Sequence, residues 1–311
     1  GHYSILGGPY VSSHFQKLER SGNPFDVTFL GEGEYTWPQF LGDWRQGQAK
    51  KLYHEEKLPD MHHSPKPRYD LVPLEHYLAG LTQTSRGCPF KCEFCDSIIL
   101  FGNRMRTKQI DKVLEELQYI YDHEMASTVL SDDNFTADRK YVKELLEAII
   151  AWRSDKDPNF IIGCQVSIDM SKDDDLLALL ARAGVSYCYT GLESPNKDVL
   201  KNTRKYQNVK IDLRGAVDKM HSYGLSVMSG LILGFDQNDR SSFREYWEFV
   251  RDTRIPTMVS YVLSAPEGTP LKARLEKEGR VVDNDFTIGE LFRSNVIPKM
   301  LTVEELTIGF K

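Results

Sequence analysis

The chain has 311 residues, 41% of them apolar and 27% charged, with a formal charge of -6 and a pI near 5.8. That length can build one large domain, or one and a half ordinary ones, around a sizeable core, while the acidic balance offers no basic field for phosphate backbones and argues against nucleic acid as the main partner. The longest mainly apolar run, near 227–235, is far shorter than the roughly 20 residues that span a bilayer, and Gly1-His2-Tyr3-Ser4 lacks a basic-then-apolar leader, so neither a transmembrane segment nor a signal peptide is expected.

In chain order, the first expected strand is 3–6, followed by a Gly7-Gly8-Pro9 turn, a short helix over 13–19 and a second strand over 26–30. A second glycine turn, Gly31-Glu32-Gly33-Glu34, opens a helix that runs through Trp44. Strands and helices alternating across glycine turns are the pattern of a doubly wound sheet. Residues 1–46 therefore read as the last βαβα units of a Rossmann-like domain, and the chain is expected to start within it. Residues 47–80 hold Pro59, Pro65, Pro67 and Pro73 without a sustained period and are expected to form a linker. His54, His62 and His63 in that segment stand without partners at ligand spacing and are expected to be solvated.

From Leu81 the pattern becomes regular, with strands expected near 81–86, 127–131, 160–167, 185–192, 225–233 and 257–263. Between them, Ile110, Val113, Leu114 and Leu117 make one helical stripe, and Val142, Leu145, Leu146, Ile149 and Ile150 a second. Leu176, Leu177, Leu179 and Leu180 make a third, behind a capping box expected at Ser171 to Asp174. Strands rich in Val, Ile and Tyr that alternate with amphipathic helices imply a parallel sheet with right-handed crossovers. The expected fold class is α/β, a partial (β/α)6 barrel over 81–265, with a flat doubly wound sheet as the alternative. Past Pro270 a helix over 271–278 and a polar segment lead to Lys311, and the region from 266 is expected to be incomplete.

Five cysteines occur, three of them within eight residues, which suits a metal site better than a disulfide framework and fits a reducing cytoplasm. Arg86-Gly87-Cys88-Pro89-Phe90-Lys91-Cys92-Glu93-Phe94-Cys95 follows the first barrel strand with the spacing Cys-x3-Cys-x2-Cys. A structural zinc site takes four closed ligands, and the next candidates, His123 and Cys164, lie on a later helix and strand. A four-iron cluster is usually held by four cysteines; three leave one iron open to a substrate. Pro89, Lys91 and Glu93 make the loop read as exposed, whereas Cys164 and Cys188 read as small buried hydrophobes on strands.

The cysteine loop resembles the signature of the radical S-adenosylmethionine (SAM) superfamily, in which an aromatic residue commonly precedes the third cysteine, as Phe94 does here. The resemblance implies a 4Fe–4S cluster on Cys88, Cys92 and Cys95 whose open iron chelates the methionine half of SAM. It also implies a 5′-deoxyadenosyl radical formed when a flavodoxin- or ferredoxin-type donor reduces the cluster. The loop stands where barrel enzymes carry their chemistry, at the C-terminal end of a strand. By the same resemblance, Asp132 and Asp133 in Ser131-Asp132-Asp133-Asn134 face the methionine ammonium, with helix capping before Ala137 as the other reading. Glu193 in Gly191-Leu192-Glu193-Ser194 contacts the ribose or amino-acid part, unless it only caps a helix. Arg204 or Lys205 pairs with the SAM carboxylate, or is a solvated charge. Ile232 in Gly230-Leu231-Ile232-Leu233-Gly234 packs on adenine, although an ordinary buried strand reads almost the same. Gln165 and Ser167 are polar positions that can face the barrel interior near SAM.

Gly7 and Gly8 before Pro9, with Gly31, Glu32 and Gly33 before Glu34, resemble the last turns of the cobalamin-binding domain that precedes the barrel in one radical SAM class. Glycine turns after parallel strands let a backbone approach a large ligand, so the resemblance implies a cobalamin site at those five residues. The run 265–271 after the sixth strand also resembles this class. The implied function is cobalamin-dependent methylation of an unactivated carbon in a lipid, tetrapyrrole or other secondary metabolite. Other radical reactions, namely cyclisation, rearrangement or methylthiolation, are the alternative, with a non-catalytic iron–sulfur or zinc interaction module behind them. No additional cluster-binding cysteines precede Cys88, which argues against methylthiolation of RNA.

Overall fold

The computed structural model describes residues 3–288 and 292–311, and its backbone forms two parallel sheets, each with helices packed on it. The first sheet contains β1 (Ile5–Leu6), α1 (Pro9–Arg20), β2 (Val27–Leu30), α2 (Gly33–Arg45) and β3 (Leu52–His54), with strand order β1-β2-β3. Helix α1 begins at Pro9, earlier than expected, because proline at the first helical position has its φ preset and no N–H to lose. Val27, Phe29, Phe40 and Tyr53 form the small core of this sheet, the Phe29 ring stacked on Tyr53 at 5.3 Å and set edge-on to Phe40 at 5.5 Å. Strand β3 lies in the stretch expected as linker. Only Tyr53 is buried there, between exposed Leu52 and His54, so one apolar contact in a charged run carries the strand.

The second sheet is built from β4 (Gly80–Thr82), β5 (Ser85–Arg86), α3 (Ser97–Phe101), β6 (Arg106–Thr107), α4 (Ile110–Asp122), β7 (Ser127–Leu130), α5 (Arg139–Trp152), β8 (Ile161–Val166), α6 (Asp174–Arg182), β9 (Val185–Glu193), α7 (Lys197–Asn202), α8 (Tyr206–Val209), α9 (Leu213–Ser222), β10 (Ser226–Leu233), α10 (Arg240–Thr253) and β11 (Thr257–Val262). Six of these strands pair in parallel in the order β11-β10-β9-β8-β7-β4. A doubly wound sheet would reverse its order partway; consecutive order is that of a barrel. Among the described residues β4 and β11 do not pair, so the barrel is partial.

All three helical stripes face this sheet. Val113 and Leu117, Val142, Leu145, Leu146 and Ile149, and Leu176, Leu177 and Leu180 are buried against Leu130, Ile162, Cys164, Val166, Cys188 and Val227. Each such Leu is worth about 1.5–3 kcal/mol of burial. Because Ile162, Cys164 and Val166 take the helix side, Gln165 is turned to the opposite, interior face. Helix α6 is capped by Asp173, which accepts from the Leu176 N–H at 3.0 Å; the box expected at Ser171 to Asp174 does not form, since Ser171 is used in a short turn over Ile168–Lys172. The strand expected over 81–86 is split. Asp132 accepts from the backbone N–H of Thr84 and of Ser85, turning the chain so that β5 leaves the sheet and pairs antiparallel with β6.

Beyond the barrel, α11 (Pro270–Lys277) appears where a helix was expected. It is followed by an antiparallel pair, β12 (Val281–Ile288) and β13 (Phe292–Val296), and by α12 (Val303–Phe310), whose capping box joins Thr302 and Glu305. No helix among the described residues is long and apolar enough to cross a membrane.

Candidate functional site

The cysteine loop leaves β5 through Gly87, which has φ +92° and whose absent Cβ would stand 2.6 Å from the Arg104 carbonyl oxygen, so only glycine makes this turn. Its N–H donates to Asp133 Oδ2 at 2.8 Å. Further along, the Cys88 N–H donates to the Gly102 carbonyl at 3.3 Å and the Glu93 N–H to the Thr203 carbonyl at 3.0 Å, while the Glu93 carbonyl accepts from the Leu271 N–H at 3.0 Å. The ends of β7, α7 and the start of α11 thus hold the loop on three sides. Glu93 is not solvated, as the sequence implied; it is buried and paired with Arg274 at 2.8 Å.

Cys92 is buried, and Cys88 and Cys95 are half-buried. Burial pushes the Cys92 thiol up, against Lys205 and a hydrogen bond from Gln207, whose Nε2 stands 3.5 Å from its Sγ. Burial likewise raises the Cys88 thiol, against the Phe90 N–H and Asn134, whose Nδ2 is 3.9 Å from that sulfur. Amide donors aimed at sulfur stabilise a thiolate, the form that binds metal. Among the described residues, no three His, Cys, Asp or Glu side chains gather as the ligand set of a metal ion. An iron–sulfur cube needs more widely spaced sulfurs than a single ion does. The donor set fits it: three thiols on one loop, amides at two of them, and an ammonium nearby. Cys164 and Cys188 stay out of reach, fully buried on the helix side with their sulfurs 3.9 Å apart.

Glu193 ends β9 in the left-handed region, at φ +64°, a conformation that carries strain for any residue but glycine. Its carboxylate meets Lys205 Nζ at 2.6 Å, and the missing Cβ of Gly191 leaves the room, since it would lie 2.4 Å from Glu193 Oε1. Lys205 also stands 6.0 Å from the centre of the Phe94 ring; burial alone would lower its pKa, but Glu193 and the cysteine thiols outweigh that and raise it. Arg204 is exposed and does not join this pair. Phe94 and Ile232 come together in a cavity of about 340 Å³ with Tyr261, Leu263 and Ser264 at the C-terminal ends of β10 and β11. Ser167 is buried with an unpartnered hydroxyl, whereas Gln165 reaches the Asp133 carbonyl at 3.2 Å. Asp132 and Asp133 spend their carboxylates on Thr84, Ser85 and Gly87, and so brace the cysteine loop from behind.

A larger cavity, about 710 Å³, lies between the first sheet and the barrel. Gly8, Gly31, Glu32 and Gly33 line it from the first sheet, and Gln83, Arg86, Leu100 and Phe101, which flank the cysteine loop, line it from the barrel side. Gly7 is not part of it; its missing Cβ leaves space for Phe29, 3.3 Å away. Glu32 lines the cavity but commits its carboxylate to Arg86 and to Arg106, the latter at 2.5 Å, bridging the two sheets. Gln207, Arg274 and Arg106 carry no motif, and sequence reasoning passed over them. Asn208 was missed likewise: fully buried, it donates to the Gly191 and Leu192 carbonyls at 3.1 and 3.2 Å and so fixes the strand end before Glu193.

Residues 82–250 match the model of the Radical SAM superfamily. An uncharacterized methyltransferase of Synechocystis sp. (strain ATCC 27184 / PCC 6803 / Kazusa) is 34% identical over 300 residues, which cover 96% of this chain and 56% of that protein. The hopanoid C-2 methylase of Rhodopseudomonas palustris (strain TIE-1) is 31% identical over 293 residues, covering 90% of this chain and 53% of that one. The chain therefore spans about half the length of these relatives. In fold it is similar to the radical S-adenosylmethionine methyltransferase TsrM from Kitasatospora setae, a structure with cobalamin and a 4Fe–4S cluster bound, with a TM-score of 0.74 over 97% of this chain and 65% of that chain at 15% identity.

Proposed function

We propose, from the premise that this chain belongs to the radical SAM superfamily, that it is the cofactor-binding part of an enzyme that methylates an unactivated carbon with SAM and cobalamin. The observation that carries this reading is that Gly8, Gly31 and Gly33 line the same 710 Å³ cavity as Gln83, Arg86, Leu100 and Phe101, which flank the cysteine loop. When bound, a three-cysteine cluster with SAM supplies radical hydrogen abstraction, and cobalamin supplies a methyl carrier.

The chain's own residues have separable tasks. Cys88, Cys92 and Cys95 hold the cluster, with Gln207 and Asn134 donating to two of their sulfurs. The Glu193–Lys205 pair presents both an acceptor and a donor to the charged amino-acid end of SAM, and Phe94 with Ile232 offers the apolar cavity that suits adenine. Asp132 and Asp133 act through the loop, holding its entry rather than the ligand. A division into first sheet, barrel from 81 and further region from 266 supports this assignment of tasks, with the first sheet extended to His54.

The name of one relative, a hopanoid C-2 methylase, supports C-methylation, and a lipid, tetrapyrrole or other secondary metabolite is the proposed substrate class. A flavodoxin- or ferredoxin-type protein is the proposed electron donor. Five free thiols support a reducing cytoplasm. Equilibrium dialysis with hydroxocobalamin tests the cobalamin assignment. Gly33 lines the cavity, has no left-handed φ and, among the described residues beyond its chain neighbours and its own helix backbone, meets no atom within 4 Å of its missing Cβ, so Gly33→Trp adds an indole at the cavity without backbone strain. The full-length wild-type protein is expected to retain hydroxocobalamin and its Gly33→Trp variant to lose it while still assembling its cluster. No retention by wild type, or equal retention by both, would leave a radical SAM enzyme of another reaction type.

A further inference from the structure

The carboxylate of Glu93 sits inside the cysteine motif, between Cys92 and Cys95, with its side chain only 5% exposed. A carboxylate so far from water needs a partner. Arg274 on α11 supplies it, 181 residues further along the chain, through Nη2 at 2.8 Å. The same guanidinium is fixed from behind: Nη1 meets Asp236 at 2.7 Å and Glu278 at 3.1 Å, and Arg280 meets those two carboxylates at 2.7 and 2.8 Å. Apolar packing runs alongside, with the Phe94 ring 5.8 Å from Phe235 and both set against Leu271 and Leu275 of α11.

We propose that Arg274 is a positioning residue for the cluster loop, acting through Glu93, so that the segment beyond the last barrel strand sets the geometry and local charge around Cys92 and Cys95. The proposal rests on these cysteines holding a cluster. Iron–sulfur potentials respond to net charge, hydrogen bonds to sulfur and exposure. Arg274 and Glu93 carry opposite charges at the loop, and removal of either changes the net charge beside it by one unit, in opposite directions. Loss of the Arg274 cation disfavours adding an electron to the cluster, and loss of the Glu93 anion favours it. A pair that merely fastened α11 to the loop would show neither sign.

Redox titration of the reconstituted cluster without SAM, followed by the electron paramagnetic resonance of its reduced form, tests this in wild type, Arg274→Gln, Glu93→Gln, the double variant and Arg274→Lys. Arg274→Gln is expected to make the potential more negative and Glu93→Gln less negative. Each shift is roughly tenfold in the reduced-to-oxidised ratio, about 59 mV for one electron. The double variant is expected to return to the wild-type value. Arg274→Lys keeps the charge but not the two-sided contact, so it is expected to hold the potential while altering the resonance line shape, and it stands in if a charge-removing variant fails to fold. One common potential and line shape across all variants, with only the unfolding midpoint moved, would overturn the proposal. Wild-type protein that takes up no cluster would instead overturn the reading on which it rests.

Discussion

Replacing Glu32 by Gln removes the negative charge at the junction of the first sheet and the barrel. The Glu32 side chain is 5% exposed; it accepts from Arg86 Nη1, and from Arg106 Nη1 and Nη2 at 3.0 and 2.5 Å. Without that charge Arg86 keeps Glu34 at 2.6 Å and Gln83 at 2.8 Å. Among the described residues Arg106 keeps hydrogen bonds to the Pro59 and Phe101 carbonyls, at 2.8 and 3.0 Å, and loses its ion pair. Removing one partner of a buried ion pair costs about 3–5 kcal/mol. The amide retains an acceptor oxygen and Arg86 stays paired, so the lower end, about 3 kcal/mol, is expected. Urea titration reads this as a lower midpoint at unchanged slope. Glu34→Gln, whose target is 19% exposed and pairs with Arg86, is the control and should cost about 1 kcal/mol or less. A Glu32→Gln protein that unfolds at the wild-type midpoint would refute the bridging role and return Glu32 to the cofactor-binding residues.

Asp132 supplies a pH dependence with a definite sign. Burial pushes its carboxyl up to about 6 from 3.8, against the opposing hydrogen bonds of Ser85 and Thr84. The folded chain thus holds a proton that the unfolded chain has released, and the stabilisation, about 3 kcal/mol, is complete below about pH 4 and lost as pH rises through about 6. Urea stability of cofactor-free protein should fall over that window in wild type and stay flatter in Asp132→Asn; parallel curves would contradict the assignment. Lys108 and Glu116 form an ion pair at 2.8 Å with side chains 3% and 1% exposed. Lys108→Met should cost about 3–5 kcal/mol by stranding Glu116, and adding Glu116→Leu should recover most of it. A single variant as stable as the double would show that the pair is not buried in solution.

Much of this was legible because it is local. The stripes headed by Val113, Val142 and Leu176 have helical period, and that period is all a barrel helix needs in order to find its sheet. The three cysteines lie within eight residues, so their spacing survives without any tertiary knowledge. Partners far apart in the chain left no such trace. Glu93 looks like a loop charge until Arg274 arrives, and Glu32 looks like a turn residue until Arg106, 74 positions later, folds over it. Asp132 and Asp133 were placed at the right strand end, but no sequence pattern tells whether a carboxylate turns outward to a ligand or inward to backbone N–H groups. The two glycines of the first turn divide in the same way: Gly7 makes room for Phe29, and Gly8 faces the cavity. The cap of α6 was misplaced because a short turn consumed Ser171 before the helix began at Asp174.

Whether Cys88, Cys92 and Cys95 hold a SAM-cleaving cluster is tested most directly by anaerobic reconstitution, with iron counted per chain and 5′-deoxyadenosine measured after SAM and reductant are added. Wild type and Cys164→Ala are expected to carry about four iron atoms per chain and to form 5′-deoxyadenosine, and Cys88→Ala, Cys92→Ala and Cys95→Ala to do neither. A loop variant with its iron complement intact, or a wild-type cluster that leaves SAM whole, would contradict the assignment.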